Sequence, residues 1–240
     1  MSLGQCAMPI KLLRWVANKL LIIFTTMLLL SVVVVGLLRW VNPPLSAIMA
    51  QHWISAQFHA APPLHYQWVD WKLIPASVAL AVIAAEDQRF PTHNGFDLIE
   101  IRNAMTAFQE GERLRGASTI SQQTAKNLFL WTGRDYLRKG LEAWLTVLIE
   151  MLWSKQRILE IYLNIAQFSP DTYGVAATSW RYFKRPIFTL DAPQAALLAA
   201  VLPNPSHYRL TSPSTAVRQR ASRIKRQMRQ LGGTNYLNQL

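Results

Sequence analysis

The chain is poor in several things, and each shortage excludes something. Its one cysteine, Cys6, lies near the N-terminus, so no disulfide can form within the chain. The five histidines are scattered, nothing like H-E-x-x-H appears, and no metal-ligand spacing is present. Runs that alternate apolar and polar residues are sparse, which argues for a mainly α fold. Acids are scarce: 13 Asp and Glu stand against 25 Lys and Arg, a formal net charge of +12. That surplus calls for an anionic partner, whether nucleic acid, acidic lipid headgroups or a phosphate-bearing substrate. One S-x-x-K match, Ser222 to Lys225, sits in a basic tail with no S-D-N or K-T-G after it, so it is set aside as chance.

Charge is absent altogether from residues 20–38 (LLIIFTTMLLLSVVVVGLL), nineteen residues in a row. About 20 residues of helix span a bilayer core. The run exceeds a signal h-region of about 7–15 residues and has no A-x-A-like site just after it, so an uncleaved anchor is expected rather than a cleaved leader. Lys11, Arg14 and Lys19 precede it without an acid, which puts the N-terminus in the cytoplasm and the rest of the chain across the inner (cytoplasmic) membrane, in the periplasm. That location removes nucleic acid as the partner. At 240 residues the expectation is one full domain plus the anchor. It divides as a cytoplasmic tail (1–19), the transmembrane segment (20–38), a juxtamembrane segment (39–73), a catalytic domain (74–212) and a basic C-terminal helix and tail (213–240). The juxtamembrane part carries Pro43, Pro44, Pro62, Pro63 and the aromatics Trp53, Tyr66, Trp68 and Trp71, and reads either as a segment resting on lipid or as an ordered entry to the domain.

The centre of interest is residues 84–97, AAEDQRFPTHNGFD. An apolar helix over 74–85, with Pro75 in its first turn, delivers Glu86 and Asp87 to its end. A carboxylate leaving such a helix is partly desolvated, which raises its pKa toward values useful for proton transfer; the alternative is a helix end whose acids face water. Asp97 with Glu100 reads as a capping box opening a helix over 98–108. After a polar loop at 109–116, Ser118 lies near the next cap, and Thr119, Gln123 and Lys126 fall on one polar face. Asp135 caps a helix over 136–153, in which Arg138 and Lys139 lie one turn before Glu142 and Leu141, Leu145, Leu148 and Leu152 form an inward stripe. Spacing alone makes Arg138, Lys139 and Glu142 an ordinary set of helical ion pairs. Ser154 caps a further helix, and Arg218, Arg220, Arg223, Lys225, Arg226 and Arg229 form a basic one, either solvated or resting on anionic lipid.

Together these stretches resemble the peptidoglycan glycosyltransferases, glycosyltransferase family 51, and most nearly the monofunctional, membrane-anchored biosynthetic transglycosylases. E-D-x-x-F-x-x-H-x-G is met by Glu86, Asp87, Phe90, His93 and Gly95; G-x-S-T-x-x-Q-Q-x-x-K-N by Gly116, Ser118, Thr119, Gln122, Gln123, Lys126 and Asn127; and R-K-x-x-E by Arg138, Lys139 and Glu142. ILEIYLN (158–164) with Phe168, Tyr173 and Gly174 is similar to the fourth motif, and LLAAVLPNPSHY (197–208) to the fifth. The main departure is Ser169, where the family usually has glycine; serine takes positive φ poorly, so the local turn is expected to differ.

The resemblance implies a mainly α, bilobal, lysozyme-like domain behind a single transmembrane helix. It implies polymerisation of lipid II onto a growing glycan strand, with undecaprenyl pyrophosphate leaving. Glu86 is then the general base and Glu142 the second catalytic carboxylate, while Asp87, Phe90 and His93 support the turn. Ser118, Thr119, Gln123, Lys126, Asn127, Arg134, Arg138 and Lys139 serve sugar and pyrophosphate. No organic cofactor is implied, and a divalent cation (Mg or Mn) is left room at Glu142. Expected partners are lipid II, membrane lipid and the glycan strand, with cell-division or penicillin-binding proteins beside them. The alternative is a lytic enzyme of the same fold that cleaves glycan and has no use for the cationic cluster.

Overall fold

The computed structural model describes residues 10–58, 62–111, 118–133 and 135–240, and these fall into two compact units that part at Val41 and Asn42. The first holds a single helix, α1 (Ile10–Leu37). Within its stretch Arg14–Leu37 the most apolar 18-residue window has a mean hydropathy of 2.8. At 1.5 Å per residue, 24 residues reach about 36 Å, more than the ~30 Å of a hydrocarbon core. This helix is long and apolar enough to cross a membrane and fits a single-pass anchor. It begins well before the uncharged run, so Lys11, Arg14 and Lys19 ride on its early turns.

The second unit is mainly helical. The helices are α2 (Ala47–Phe58), α3 (Ala76–Glu86), α4 (Leu98–Gln109), α5 (Ile120–Phe129), α6 (Tyr136–Leu152), α7 (Lys155–Ile165), the short α8 (Val175–Thr178), α9 (Ala192–Ala200) and α10 (Thr215–Gln230). Two groups form among them: α3, α9 and α10 pack on one another, while α5 packs on α6, α7 and α2. Helix α3 is apolar on all sides, and residues 78–84 are buried, as a helix without a polar face must be. Pro75 stands at its N-cap, one position before the first turn expected for it. Asp191 and Gln194 close a capping box on α9, and Asp135 and Ser154 accept the backbone N–H of Arg138 and Arg157 at the starts of α6 and α7.

Two details differ from the sequence reading. The inward stripe of α6 is rotated: Leu145 and Leu148 are buried, but Thr146 and Ile149 complete the stripe, and Leu141 and Leu152 are only half-buried. Asp97 caps α4 through the N–H groups of Ile99 and Glu100, without a reciprocal bond from Glu100. The segment after Asn42 belongs to the compact unit, since Gln51 bonds Leu130 and Thr132, and buried Asn164 bonds both the N–H and the carbonyl of Val69. Those backbone bonds, and the packing of α10 on α3 and α9, make the juxtamembrane and C-terminal stretches integral to this unit.

A small sheet of β1 (His65–Tyr66), β3 (Thr172–Tyr173) and β2 (Gln167–Ser169) joins that segment to the fourth motif, with β3 central, parallel to β1 and antiparallel to β2. Ser169 lies in β2, is buried, and donates to Asp171, which also pairs with Arg181. Among the described residues the only side-chain-bearing residue at positive φ is Lys184, so Ser169 replaces glycine here without backbone strain.

Candidate active site

Helix α3 ends at Glu86 because the chain turns at once through a tightly bonded loop. His93 donates from Nε2 to Asp87 at 3.0 Å, and its Nδ1 accepts the N–H of Gly95 at 3.2 Å, which assigns the neutral tautomer protonated on Nε2. Asp87 also accepts the N–H of Ile120 at 2.9 Å, tying the loop to the start of α5. Phe90 is fully buried, with the Lys155 ammonium over its ring at 4.6 Å. Lys155 in turn donates to the His93 carbonyl and to Glu150. The structure thus buries Phe90 and His93 in support of the turn, while buried Asp87 ties it to α5 and also reaches the wall of the neighbouring cavity.

Gly95 is the hinge of that loop, at φ +87°, and a Cβ there would come 2.7 Å from Thr146 Cγ2 and 3.0 Å from Glu150 Cγ. Gly95→Ala combines left-handed strain with overpacking, each costing of order 1–3 kcal/mol. An unfolding free energy lowered by about 3 kcal/mol in denaturant titration is the expected result, with the midpoint shifted and the slope unchanged.

Helix α5 is capped by Thr119, one residue later than Ser118, with a full capping box supplied by Gln122. The Thr119 hydroxyl is committed twice, donating to the Gly95 carbonyl at 2.6 Å and accepting from the N–H of Gln122. Thr119 therefore holds helix and loop together at the cavity wall. Ser118 stays exposed, and Asn127 is half-buried on α5. Arg134 and Gly116 lie outside the described residues.

Gln123 faces Glu86. Its Nε2 donates to Glu86 Oε2 at 3.1 Å, and its Oε1 accepts from the Tyr162 hydroxyl at 3.1 Å. Tyr162, on α7, is fully buried, so it fixes which way the amide points. It was not among the expected site residues, though it lies within the fourth motif. Burial pushes the Glu86 carboxyl above its ordinary pKa, and the Asp87 charge adds to this; the bond from Gln123 and the charges of Arg220 and Lys126 act against it.

Glu142 is buried in α6 between Arg138, 3.0 Å away, and Lys139. Burial lowers the pKa of Lys126, and the Arg138 and Lys139 charges add to this, while Glu142 and Glu86 pull it back up. Lys126 thus feels both carboxylates. Three cations about one acid leave a surplus of two positive charges, which suits a diphosphate. A divalent cation fits this donor set poorly: both Glu142 oxygens already face cations, whereas a hard dication collects several oxygen ligands.

A cavity of about 700 Å³ opens beside Glu86, lined by Asn103 of α4, Ser118 and Thr119, and Arg220 and Arg223 of α10. A desolvated carboxylate at the wall of a polar cavity is an arrangement suited to proton transfer at an enzyme site. The chain belongs to the transglycosylase family, whose model matches residues 55–229. It is a glycosyltransferase of that mainly helical, lysozyme-like type. Among similar proteins are biosynthetic peptidoglycan transglycosylases of Xylella fastidiosa strain M12 (50% identical, covering 94% of each chain), Klebsiella oxytoca (54%, covering 86% of this chain and 87% of that one) and Pseudomonas aeruginosa (49%, covering 88% and 91%).

Proposed function

We propose that this protein polymerises lipid II into β-1,4-linked glycan strands for the bacterial cell wall, with Glu86 as the general base. The observation that carries the assignment of the base is the Glu86 carboxylate itself, desolvated, oriented by Gln123 and set at the cavity wall. Glu86 takes the proton from the 4-hydroxyl of the acceptor's GlcNAc, and that oxygen attacks C1 of the donor's MurNAc, inverting α to β. The C1–oxygen bond to undecaprenyl pyrophosphate breaks, and the electron pair leaves with the pyrophosphate. Lys126, Arg138 and Lys139, held in place by Glu142, stabilise the charge that develops there, because cations arranged beforehand need no reorganisation as the bond breaks.

Helix α1 keeps the site beside a substrate that is itself lipid-borne. The basic residues before its apolar core support a cytoplasmic N-terminus and a catalytic unit on the periplasmic face of the inner membrane. Penicillin-binding and cell-division proteins of the same membrane are proposed neighbours on the strength of that location.

Purified full-length protein, given labelled lipid II in detergent, is expected to form a penicillin-insensitive polymer. Shortening of purified glycan strands, without polymer from lipid II, is the outcome that would establish the lytic alternative.

A further inference from the structure

Glu86 is gripped from two sides, and one grip comes from the far end of the chain. Arg220 of α10 points one Nη2 at both the Ala85 carbonyl oxygen (3.4 Å) and Glu86 Oε1 (3.3 Å). Gln123 of α5 holds the other carboxylate oxygen. Each oxygen therefore has its own donor from a different helix, and the plane of the carboxylate is set. Arg218, Arg223, Lys225, Arg226 and Arg229 are exposed on α10, whereas Arg220 is half-buried. It leaves the basic face because α10 seats itself through Val217, Ile224 and Met228, and Arg220 lies one turn from the first two. A second tie fastens the same turn, where the Tyr236 hydroxyl donates to the Gln88 carbonyl at 2.7 Å.

Stability alone does not account for this arginine. Its Nε is buried without a hydrogen-bond partner, and an unmet donor costs a folded protein free energy that a shorter amide side chain would avoid. Local rules are broken in this way chiefly at functional sites.

We infer that Arg220 is a positioning residue for glycosyl transfer, holding the Glu86 carboxylate in one orientation and keeping it ionised to receive the acceptor's proton. The charged or titratable groups facing Glu86 are Asp87 at its own helix end, Lys126 on α5, Tyr162 on α7 and Arg220 on α10. Burial and Asp87 drive Glu86 toward protonation, and a protonated base is idle. Lys126 opposes this, but it also faces Glu142, and a bound pyrophosphate would neutralise it. Arg220 is then the cavity-wall cation that contacts the Glu86 carboxylate, at 3.3 Å.

The inference rests on Glu86 being the base, and the pH profile of kcat/KM for lipid II polymerisation separates the two claims. With full-length Arg220→Gln the acidic limb is expected to move to higher pH, with kcat/KM about tenfold lower on that limb and recovering to within about twofold of wild type at alkaline pH. Arg220→Lys, which keeps the charge, should leave the limb where wild type has it. An Arg220→Gln limb at the wild-type position, whatever the overall rate, overturns the inference, and so does a limb displaced equally by both substitutions. Near wild-type polymerisation by Glu86→Gln overturns instead the assignment of the base.

Discussion

Glu86→Gln lowers the rate of lipid II polymerisation about a thousandfold, the middle of the range that general base catalysis contributes, and leaves the protein folded. The amide keeps the shape of the carboxyl, so the packing at the end of α3 is undisturbed, but it has no basic oxygen for the acceptor's proton. Stability moves the other way. The folded-state pKa of Glu86 is raised, with burial as the main cause, so the native state binds this proton more tightly than the unfolded chain does. The carboxyl favours folding fully below its unfolded pKa, and that benefit is lost as pH rises through the folded value. At neutral pH the ionised carboxylate is therefore a burden that glutamine lacks. The variant should melt at or above the wild-type temperature at neutral pH, with the gap closing in acid. Arg220 loses its counter-charge in the exchange, but its side chain is 28% exposed, and water covers much of that loss. An inactive variant that also melted well below wild type would point to a structural role for Glu86.

Much of this site was legible before any coordinates. The apolar run ahead of Glu86 announced its desolvation, and the i, i+4 spacing of Thr119 and Gln123 put the amide on the face that meets it. What spacing could not show was burial: Arg138, Lys139 and Glu142 read as a solvated ion-pair set until α5 packs over α6 and leaves Glu142 only 3% exposed. Ser118 and Thr119 can both cap a helix, and a single residue decided which hydroxyl stayed free. Tyr162 was hidden because it sits among the buried residues of α7, and nothing local says where a buried phenol finds its partner. Arg220 did leave a trace. It sits three residues after Val217 and four before Ile224, on the apolar side of a helix whose other cations face away. Reading α10 only as a charge run concealed that.

The second large effect is expected from Glu142→Gln, and burial again decides its size. Were the trio a surface network, removing the acid would cost about 0.2–0.5 kcal/mol and leave the pH profile alone. Arg138, however, has a side chain only 10% exposed and an Nε already without a partner. Stranding such a charge costs up to 3–5 kcal/mol, whereas Lys139, half exposed, loses little. A loss of about 3 kcal/mol in denaturant unfolding is the expected result. The chemistry suffers separately. Lys126 is kept charged against burial and against two cationic neighbours chiefly by Glu142. Without that carboxylate its pKa falls further, so it surrenders its proton at lower pH, and the alkaline limb of the rate profile moves toward neutrality. At the optimum, polymerisation should drop about a hundredfold, the scale set by losing one preorganised electrostatic contact to a developing anion. Arg220→Gln narrows the same bell from its acidic side. If Glu142→Gln left the alkaline limb unmoved, the cationic cradle would not include Lys126 in its charged form, and the developing pyrophosphate charge would have to be met by Arg138 and Lys139 without it.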